Sequence, residues 1–287
     1  MQNDAMQSVE IRRLGEQFGA EATGADLTRP VDPELRQRLN DAAARQAFLV
    51  VRGQRFEPRQ FLEAGRLFGQ PMSRPYSTPL PDLPLVQRIS SHDRDERGAV
   101  VKTGPAWHTD QVDDERPPKF TILYAIELFR TGGTTGILDM RAAYDALPAH
   151  LKERIQGLEV NYGVARTARA RGEPTPSAHV DLPGARPVVH PLVRTIPETG
   201  RKALYLHPGR LRGIVGMGPE EARPLMVKLL EHAIRPEFIY NHSWALGDVL
   251  LWDNRQTLHR ANYDYDPTDT TQHRCMYRMM VEGERPA

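Results

Sequence analysis

The sequence predicts a mainly β fold with helical insertions, arranged as an antiparallel sandwich or barrel. The 287 residues include 24 prolines and 22 glycines, and this proline content exceeds the usual share of about 5%. Prolines shorten helices and lie at strand edges, so the composition favours strands joined by many turns. Helical patterns occur early in the chain and in an insertion, whereas three strand-like runs follow one another in the C-terminal third.

The N-terminal part of the chain predicts short strands and two helices. A helix is expected at about Asp32 to Arg45, because Asp32 can cap its N-terminus and Pro33 fits its first position. The apolar run 47–51, which ends at Arg52-Gly53, is typical of a buried strand. Two further elements are expected here: a short strand or turn at Gly19–Leu27 and an amphipathic helix at Pro58–Phe68.

The rest of the chain predicts two low-order stretches, two helices and four strands. Residues 72–104 are polar and rich in proline and glycine, which is typical of a long functional or disordered loop. Pro219 and the two glutamates after it mark the start of a helix. The other expected elements are a strand at 120–128, a helix at 141–155, a low-order stretch at 166–186, the helix at 219–234, and strands at 237–244, 248–252 and 274–282.

Composition and charge exclude several classes of protein. The 38 basic and 37 acidic side chains leave a formal charge of +1, which argues against a nucleic-acid binder, since such proteins carry a basic surplus. The single cysteine, Cys275, excludes a disulfide framework and cysteine-rich metal sites. No apolar run approaches the roughly 20 residues of a membrane span, and the N-terminus lacks the pattern of a secretory signal. We therefore expect one cytoplasmic domain over residues 1–287, with neither a nucleic acid nor a membrane as partner.

The segment His108-Thr109-Asp110 is the first candidate for chemistry. In extended backbone, side chains at i and i+2 point to the same face, so His108 and Asp110 can enter one cavity. With a distant second histidine they form the two-histidine, one-carboxylate triad of non-heme iron enzymes, which leaves coordination positions open for a cosubstrate and O₂. The alternative is a loop pair that bonds its own backbone, because short motifs have many false positives.

His259 is the best candidate for the third ligand. It follows the buried-looking run 249–252, where a loop can deliver a side chain into the mouth of a barrel. The other histidines weighed for this role lie in polar or helical surroundings and are expected to be solvated or to pack: His150, His179, His232, His242 and His273.

The last predicted strand places Arg274 and Arg278 on one face, since its side chains alternate with period two. The opposite face, with Cys275, Tyr277 and Met279, suits a core. The arginine face meets either water or an anion, because a buried unpaired guanidinium is costly. Periodicity alone leaves these two interpretations open.

Several motifs in order resemble the taurine dioxygenase family, and in particular its 2,4-dichlorophenoxyacetate dioxygenase branch. The resemblance covers nearly the whole chain and implies a double-stranded β-helix (jelly roll) with helical insertions. The motifs that carry it are His108-Thr109-Asp110, Gly132-Gly133-Thr134-Thr135, the Asp139–Pro148 segment, His190–Thr195, Trp252-Asp253-Asn254-Arg255, the run on to His259, and the Arg274/Arg278 pair.

The resemblance also implies roles for individual residues. His108, Asp110 and His259 match the iron ligands, and Arg274 matches the arginine that pairs with the distal carboxylate of 2-oxoglutarate. Thr135 matches a hydroxyl that bonds the same carboxylate, although by its sequence alone it reads as a simple turn hydroxyl. Arg278 matches a substrate-binding arginine. Four further residues are candidate substrate contacts: Arg74, Tyr76, Lys102 and His207.

Two departures from the family pattern bear on the site. Relatives usually have Gly-Gly-Asp-Thr where this chain has Gly-Gly-Thr-Thr, so the turn contact of the acidic residue is not expected from Thr134. The interval between His259 and Arg274 is long, with an enlarged loop at 264–271.

The function implied is an Fe(II)- and 2-oxoglutarate-dependent dioxygenase that uses O₂ and releases succinate and CO₂. It would hydroxylate, and thereby in some cases cleave, a small anionic substrate such as an aryloxyalkanoate, a sulfonate or an alkyl sulfate. The alternatives are a zinc-dependent hydrolase at the same three ligands and a catalytically silent jelly-roll binding protein. Relatives are commonly dimers or tetramers, so a homodimer or homotetramer is expected.

Overall fold

The computed structural model describes residues 9–15, 18–72, 78–95, 97–98, 100–101, 103–164, 187–266 and 271–287. Within these ranges the chain is mainly β. The helices are α1 (Pro33–Gln46), α2 (Pro58–Arg66), α3 (Met140–Asp145), α4 (Ala149–Ile155) and α5 (Pro219–Ala233), with a short 3-10 helix at Pro236–Phe238. The strands are β1 (Glu10–Arg13), β2 (Ala20–Thr23), β3 (Phe48–Val51), β4 (Pro71–Met72), β5 (Thr78–Leu80), β6 (Leu83–Ser90), β7 (Phe120–Glu127), β8 (Thr135–Asp139), β9 (Glu159–Val164), β10 (Pro187–Pro191), β11 (Val193–Thr195), β12 (Lys202–Leu204), β13 (Gly213–Ile214), β14 (Ile239–His242), β15 (Val249–Asp253), β16 (Thr257–Ala261) and β17 (Cys275–Val281).

Two sheets provide the strands around the candidate site. The larger has the order β1-β2-β3-β15-β7-β17-β6-β5, with β4 paired to β17. The smaller has the order β14-β8-β16, and both of its pairings are antiparallel. Pairing is antiparallel throughout the larger sheet except between β2 and β3.

The central strands of the larger sheet are buried on both faces because alternate side chains pack into different cores. On β3, Leu49 and Val51 pack with helices α1 and α2, through residues such as Leu39 and Phe61. Phe48 and Val50 point the other way, into a cluster that also contains Ile137 of the smaller sheet. This second cluster joins the two sheets and lies beside the candidate site.

Local sequence signals explain the start of α1. Asp32 accepts a hydrogen bond from the backbone N–H of Leu35 at 2.8 Å, and Pro33 is its first residue, as the capping pattern predicts. The predicted helix at 58–68 and that at 219–234 are also found, as α2 and α5, with ends one or two residues earlier. No helix in the described part of the chain has the length and apolar character needed to cross a membrane.

Two predicted elements are wrong. The single helix expected at 141–155 is two helices, α3 and α4, because the chain leaves α3 at Ala146 and the non-helical ψ of 146° at Pro148 separates it from the second helix. The long loop expected at 72–104 contains β5 and β6, and β6 pairs along β17. Its strand character comes from this pairing with the distant C-terminal strand.

Candidate metal centre

Two histidines from distant parts of the chain face each other at the smaller sheet. His259 lies on β16, and His108 pairs with it as an isolated antiparallel bridge. The N–H of His108 donates to the carbonyl of His259 at 3.0 Å, and the N–H of His259 donates to that of His108 at 2.8 Å. Asp110 completes the group, in which one candidate ligand atom of each side chain lies within 4.8 Å of the others. The structure therefore brings together the three residues that the sequence singles out.

The Asp110 carboxylate is buried and accepts hydrogen bonds at both oxygens. Oδ1 accepts from Nη2 of Arg278 at 2.7 Å, and Oδ2 accepts from the hydroxyl of Thr121 at 2.6 Å. Burial opposes ionisation, but the guanidinium of Arg278, the neighbouring imidazoles and the Thr121 hydroxyl hold the pKa of Asp110 well below its usual range. Asp110 is therefore an anion at neutral pH, the form that binds a metal.

The imidazoles are oriented by their surroundings. Nδ1 of His108 lies 2.8 Å from the carbonyl of Ala106; a carbonyl only accepts, so this nitrogen donates, and Nε2 is the ring nitrogen left to face a metal. Nε2 of His259 lies 3.7 Å from Oδ2 of Asp110. Burial, together with the neighbouring His108, lowers the pKa of His259 well below its usual value. Neutral imidazole is the form that coordinates a metal ion.

A partly buried arginine lies in the same cavity as these three residues. The cavity has a volume of about 230 Å³, and Arg274 lines it together with Thr135. Nε of Arg274 is buried and has no hydrogen-bond partner among the described residues. Burial lowers the pKa of Arg274 to about 10, so the side chain is still a cation at neutral pH. A cation whose buried N–H lacks a partner fits an anionic ligand that pairs with it.

Trp244 links Thr135 to this arginine. Its indole N–H donates to Oγ1 of Thr135 at 3.0 Å, and its ring lies 5.8 Å from the guanidinium carbon of Arg274. A hydroxyl that accepts a hydrogen bond can still donate its own proton. Trp244 therefore leaves the proton of Thr135 available for an acceptor in the cavity.

The remaining predicted substrate residues differ in their placement. Arg278 lines the cavity, but its Nη2 binds Asp110. His207 is buried, and its ring lies 6.2 Å from that of His108. Burial, with smaller contributions from His108 and Arg210, lowers the pKa of His207 to about 3, so this ring is neutral. Three predicted residues lie outside the described residues: Arg74, Tyr76 and Lys102.

Two residues that orient Asp110 are not singled out by the sequence. The side-chain amide of Asn254 donates to Oγ1 of Thr121 at 2.9 Å, and its oxygen accepts the N–H of Asp110 at 3.3 Å. Asn254 belongs to the Trp252–Arg255 motif, which is the only sequence signal for it. Thr121 carries no such signal, because its role depends on strand β7 lying beside Asp110.

Replacing Thr121 by valine is expected to weaken metal binding by about 10- to 100-fold, the usual loss for a residue that orients a ligand. Valine keeps the shape of threonine but removes the 2.6 Å hydrogen bond to Asp110. Titration of the purified protein with Mn(II) measures the change. Thr121→Ser, which keeps a hydroxyl, is expected to restore most of the affinity; equal losses in the two variants would contradict this role for the hydroxyl.

Known proteins that are similar to this chain are dioxygenases. The family model of the taurine catabolism dioxygenase TauD, TfdA family matches residues 10–280. A (S)-phenoxypropionate/alpha-ketoglutarate-dioxygenase of Sphingobium herbicidovorans is 35% identical over 284 residues, covering 96% of this chain and 95% of that protein. An alpha-ketoglutarate-dependent 2,4-dichlorophenoxyacetate dioxygenase of Burkholderia sp. is 31% identical, covering 97% and 96%.

A solved structure is also similar over nearly the whole chain. The crystal structure of AAD-2 in complex with Mn(II) and N-oxalylglycine has a TM-score of 0.77 and 33% sequence identity, covering 97% of this chain and 99% of that one. The family match spans nearly the whole chain, and the curated relatives are matched over nearly their full length. The chain therefore belongs to the TauD, TfdA family of dioxygenases.

Proposed function

We propose that this Fe(II)- and 2-oxoglutarate-dependent dioxygenase hydroxylates a small aryloxyalkanoate, with His108, Asp110 and His259 as the iron ligands. The dioxygenase class follows from the family. The observation that carries the assignment of residues is that Arg274, whose buried Nε–H has no partner among the described residues, lines the same cavity as the His-Asp-His group.

The residues present fit the metal and the cosubstrate. Two imidazoles and one carboxylate are the donor set typical of non-heme ferrous iron. Arg274 and Thr135 offer a cation and a hydroxyl for the distal carboxylate of 2-oxoglutarate, since an arginine fork binds a carboxylate well. N-oxalylglycine, present in the AAD-2 structure, has the carbon skeleton of 2-oxoglutarate with an NH in place of one CH₂. The similarity to that complex supports a cosubstrate site of this kind here.

When bound, ferrous iron with 2-oxoglutarate and O₂ supplies the oxidation that replaces a C–H bond of the substrate by C–OH, with succinate and CO₂ as co-products. The protein supplies binding and orientation. Ala106 and Thr121 orient two of the ligands, and Arg278 keeps Asp110 anionic. Arg274 and Thr135 would hold the distal carboxylate of the cosubstrate, because they line the same cavity as the His-Asp-His group.

The cavity walls favour a substrate with an aromatic part. Leu123, Phe129, Trp252 and Tyr265 line the cavity together with the polar groups, and apolar walls with a few charged groups typically bind amphipathic small molecules. The relatives named for phenoxypropionate and 2,4-dichlorophenoxyacetate support the same class. Arg278 lines the cavity as well, and we assign it a second role toward the substrate carboxylate. Arg74, Tyr76, Lys102 and His207 remain proposed substrate contacts.

The finer architecture, the assembly and the compartment are part of this proposal. The two sheets pack through one shared core, which supports a jelly roll for this member of the TauD, TfdA family. A homodimer or homotetramer is proposed, and light scattering of the purified protein tests it. The cytoplasm is proposed as the compartment, because the buried thiol of Cys275 is free and ferrous iron needs reducing conditions.

The hydrolase alternative is not favoured by the site. A zinc hydrolase needs only the three ligands and a water. Such a reaction leaves Arg274, Thr135 and the hydrogen bond from Trp244 to Thr135 without a function. A silent binding protein is equally unsupported, since the curated relatives matched over nearly their whole length are dioxygenases by name.

The test is a reaction with Fe(II), 2-oxoglutarate and a panel of anions. We expect succinate to form in step with loss of phenoxyacetate or 2-phenoxypropionate, with release of phenol, because hydroxylation beside the ether oxygen gives a hemiacetal or hemiketal that collapses. Matched alkyl sulfates and sulfonates are expected to react more slowly. Phenol release with Zn(II) and no O₂ would contradict the dioxygenase assignment, and faster turnover of alkyl sulfates would contradict the aryloxyalkanoate assignment.

A further inference from the structure

Thr134 holds two residues of the segment that follows β16. Its hydroxyl donates to Oδ2 of Asp264 at 2.5 Å and accepts from the side-chain amide of Asn262 at 2.9 Å. Its backbone N–H donates to Oδ1 of Asp264 at 3.1 Å, and its carbonyl accepts the N–H of Asn262 at 2.9 Å. We call these three residues the Thr134 clasp. The acidic group that the sequence lacks at position 134 is thus supplied by Asp264, from the enlarged loop.

The clasp fixes two tyrosines that line the cavity. Asn262 and Asp264 flank Tyr263, and Tyr265 follows directly. The ring of Tyr265 stacks on Phe129 with 4.0 Å between their centres. The hydroxyl of Tyr263 donates to the carbonyl of Thr103 at 3.3 Å, on a segment that also lines the cavity. Asn262, Tyr263 and Tyr265 therefore form part of the cavity wall, while Tyr263 and Asp264 are also exposed to solvent.

The turn that carries Thr134 also touches Arg274. A Cβ atom added at Gly133 would lie 3.4 Å from Cδ of Arg274 and 2.8 Å from the ring of Phe129. A Cβ atom added at Gly132 would lie 2.1 Å from the carbonyl oxygen of Asp264. The turn is therefore packed between the 262–265 segment and the arginine, and both glycines have positive φ, which other residues rarely adopt.

We propose that Thr134 and Asp264 are positioning residues for the cosubstrate, holding the aromatic 262–265 segment beside Arg274. The segment and Phe129 keep water from the guanidinium. A cation pairs more strongly with a carboxylate when water is excluded, because the effective dielectric constant falls. The clasp thus strengthens the pair between Arg274 and the distal carboxylate of 2-oxoglutarate. This inference rests on the proposed function, which assigns that carboxylate to Arg274.

The cleanest test is Thr134→Val, which keeps the size of the side chain and the charge of Asp264. Asp264→Asn is less suitable, because loss of a negative charge near Arg274 would itself favour an anion. Titration of the Mn(II)-loaded protein with 2-oxoglutarate is expected to give a Kd raised about tenfold or more, the effect of losing a hydrogen bond to a charged group. The affinity for Mn(II) is expected to stay the same.

Three further variants complete the test. Thr134→Ser keeps the hydroxyl and is expected to restore wild-type binding of 2-oxoglutarate. Gly132→Ala is expected to weaken it, because its Cβ would displace Asp264. Thr28→Val is the matched control, since the Thr28 hydroxyl donates to Asp26 at 2.6 Å in an exposed turn, and it is expected to have no effect.

The outcomes separate this inference from the proposed function. If Arg274→Ala weakens 2-oxoglutarate binding and Thr134→Val changes it by less than about twofold, the positioning role is overturned and the proposed function stands. If Thr134→Val lowers the affinity for Mn(II) as much as that for 2-oxoglutarate, the effect is general and the positioning role is again overturned. If Arg274→Ala has no effect, the cosubstrate assignment itself fails.

Discussion

Replacing His259 by alanine is expected to lower metal affinity by more than the roughly 10- to 100-fold lost when a residue that only orients a ligand is removed. The side chain supplies one of the three donor atoms that lie within 4.8 Å of one another, and two remaining donors hold a ferrous ion weakly. Titration with Mn(II), and succinate formation in air, measure the loss. No turnover above background is expected.

The fold of this variant is expected to persist. The pairing between His108 and His259 uses two backbone hydrogen bonds, which do not depend on the imidazole. His232→Ala is the control, since His232 lies on α5 and bonds the carbonyl of Ala143 at 2.9 Å, and it should bind metal normally. Wild-type metal affinity in the His259 variant would refute its assignment as a ligand.

Replacing Arg274 by alanine is expected to cost about 2 to 5 kcal/mol of 2-oxoglutarate binding, the range for truncating one partner of a buried charge pair. This corresponds to an increase in Kd of at least about 30-fold. Metal affinity is expected to be unchanged, because the contacts described for Arg274 are to Ser91 and Trp244 and not to the three ligands. Calorimetric titration of the Mn(II)-loaded protein with 2-oxoglutarate measures the change.

The metal-free Arg274 variant provides a second measurement. Nε of Arg274 is buried without a hydrogen bond in the described part of the chain, so the alanine variant should be as stable as the wild type or more stable. Arg274→Lys keeps the charge but loses the planar fork and should bind 2-oxoglutarate with intermediate affinity. A large fall in melting temperature would instead indicate a structural role.

Much of the fold was predictable where the signal is local. The cap at Asp32, the proline that starts α5 and the apolar run of β3 each depend on neighbours within one turn or a few residues, and the elements found agree with them. The strand β6 was missed because its partners are β5 and the C-terminal strand β17. A polar, proline-containing segment becomes a strand only when a distant strand presents its unpaired backbone groups.

In the candidate site, too, some features follow from local sequence and others from tertiary contacts. By itself, the sequence determined the types and order of the donor residues and the placement of Arg274 and Arg278 on one face, because side-chain alternation and short spacing are local properties. Only the tertiary structure decided that Arg278 binds Asp110, that Thr121 orients the same carboxylate, and that Asp264 supplies the acid missing at Thr134. These contacts join residues from different strands and loops, and their distances depend on how strands pair and pack, which no short stretch of sequence specifies.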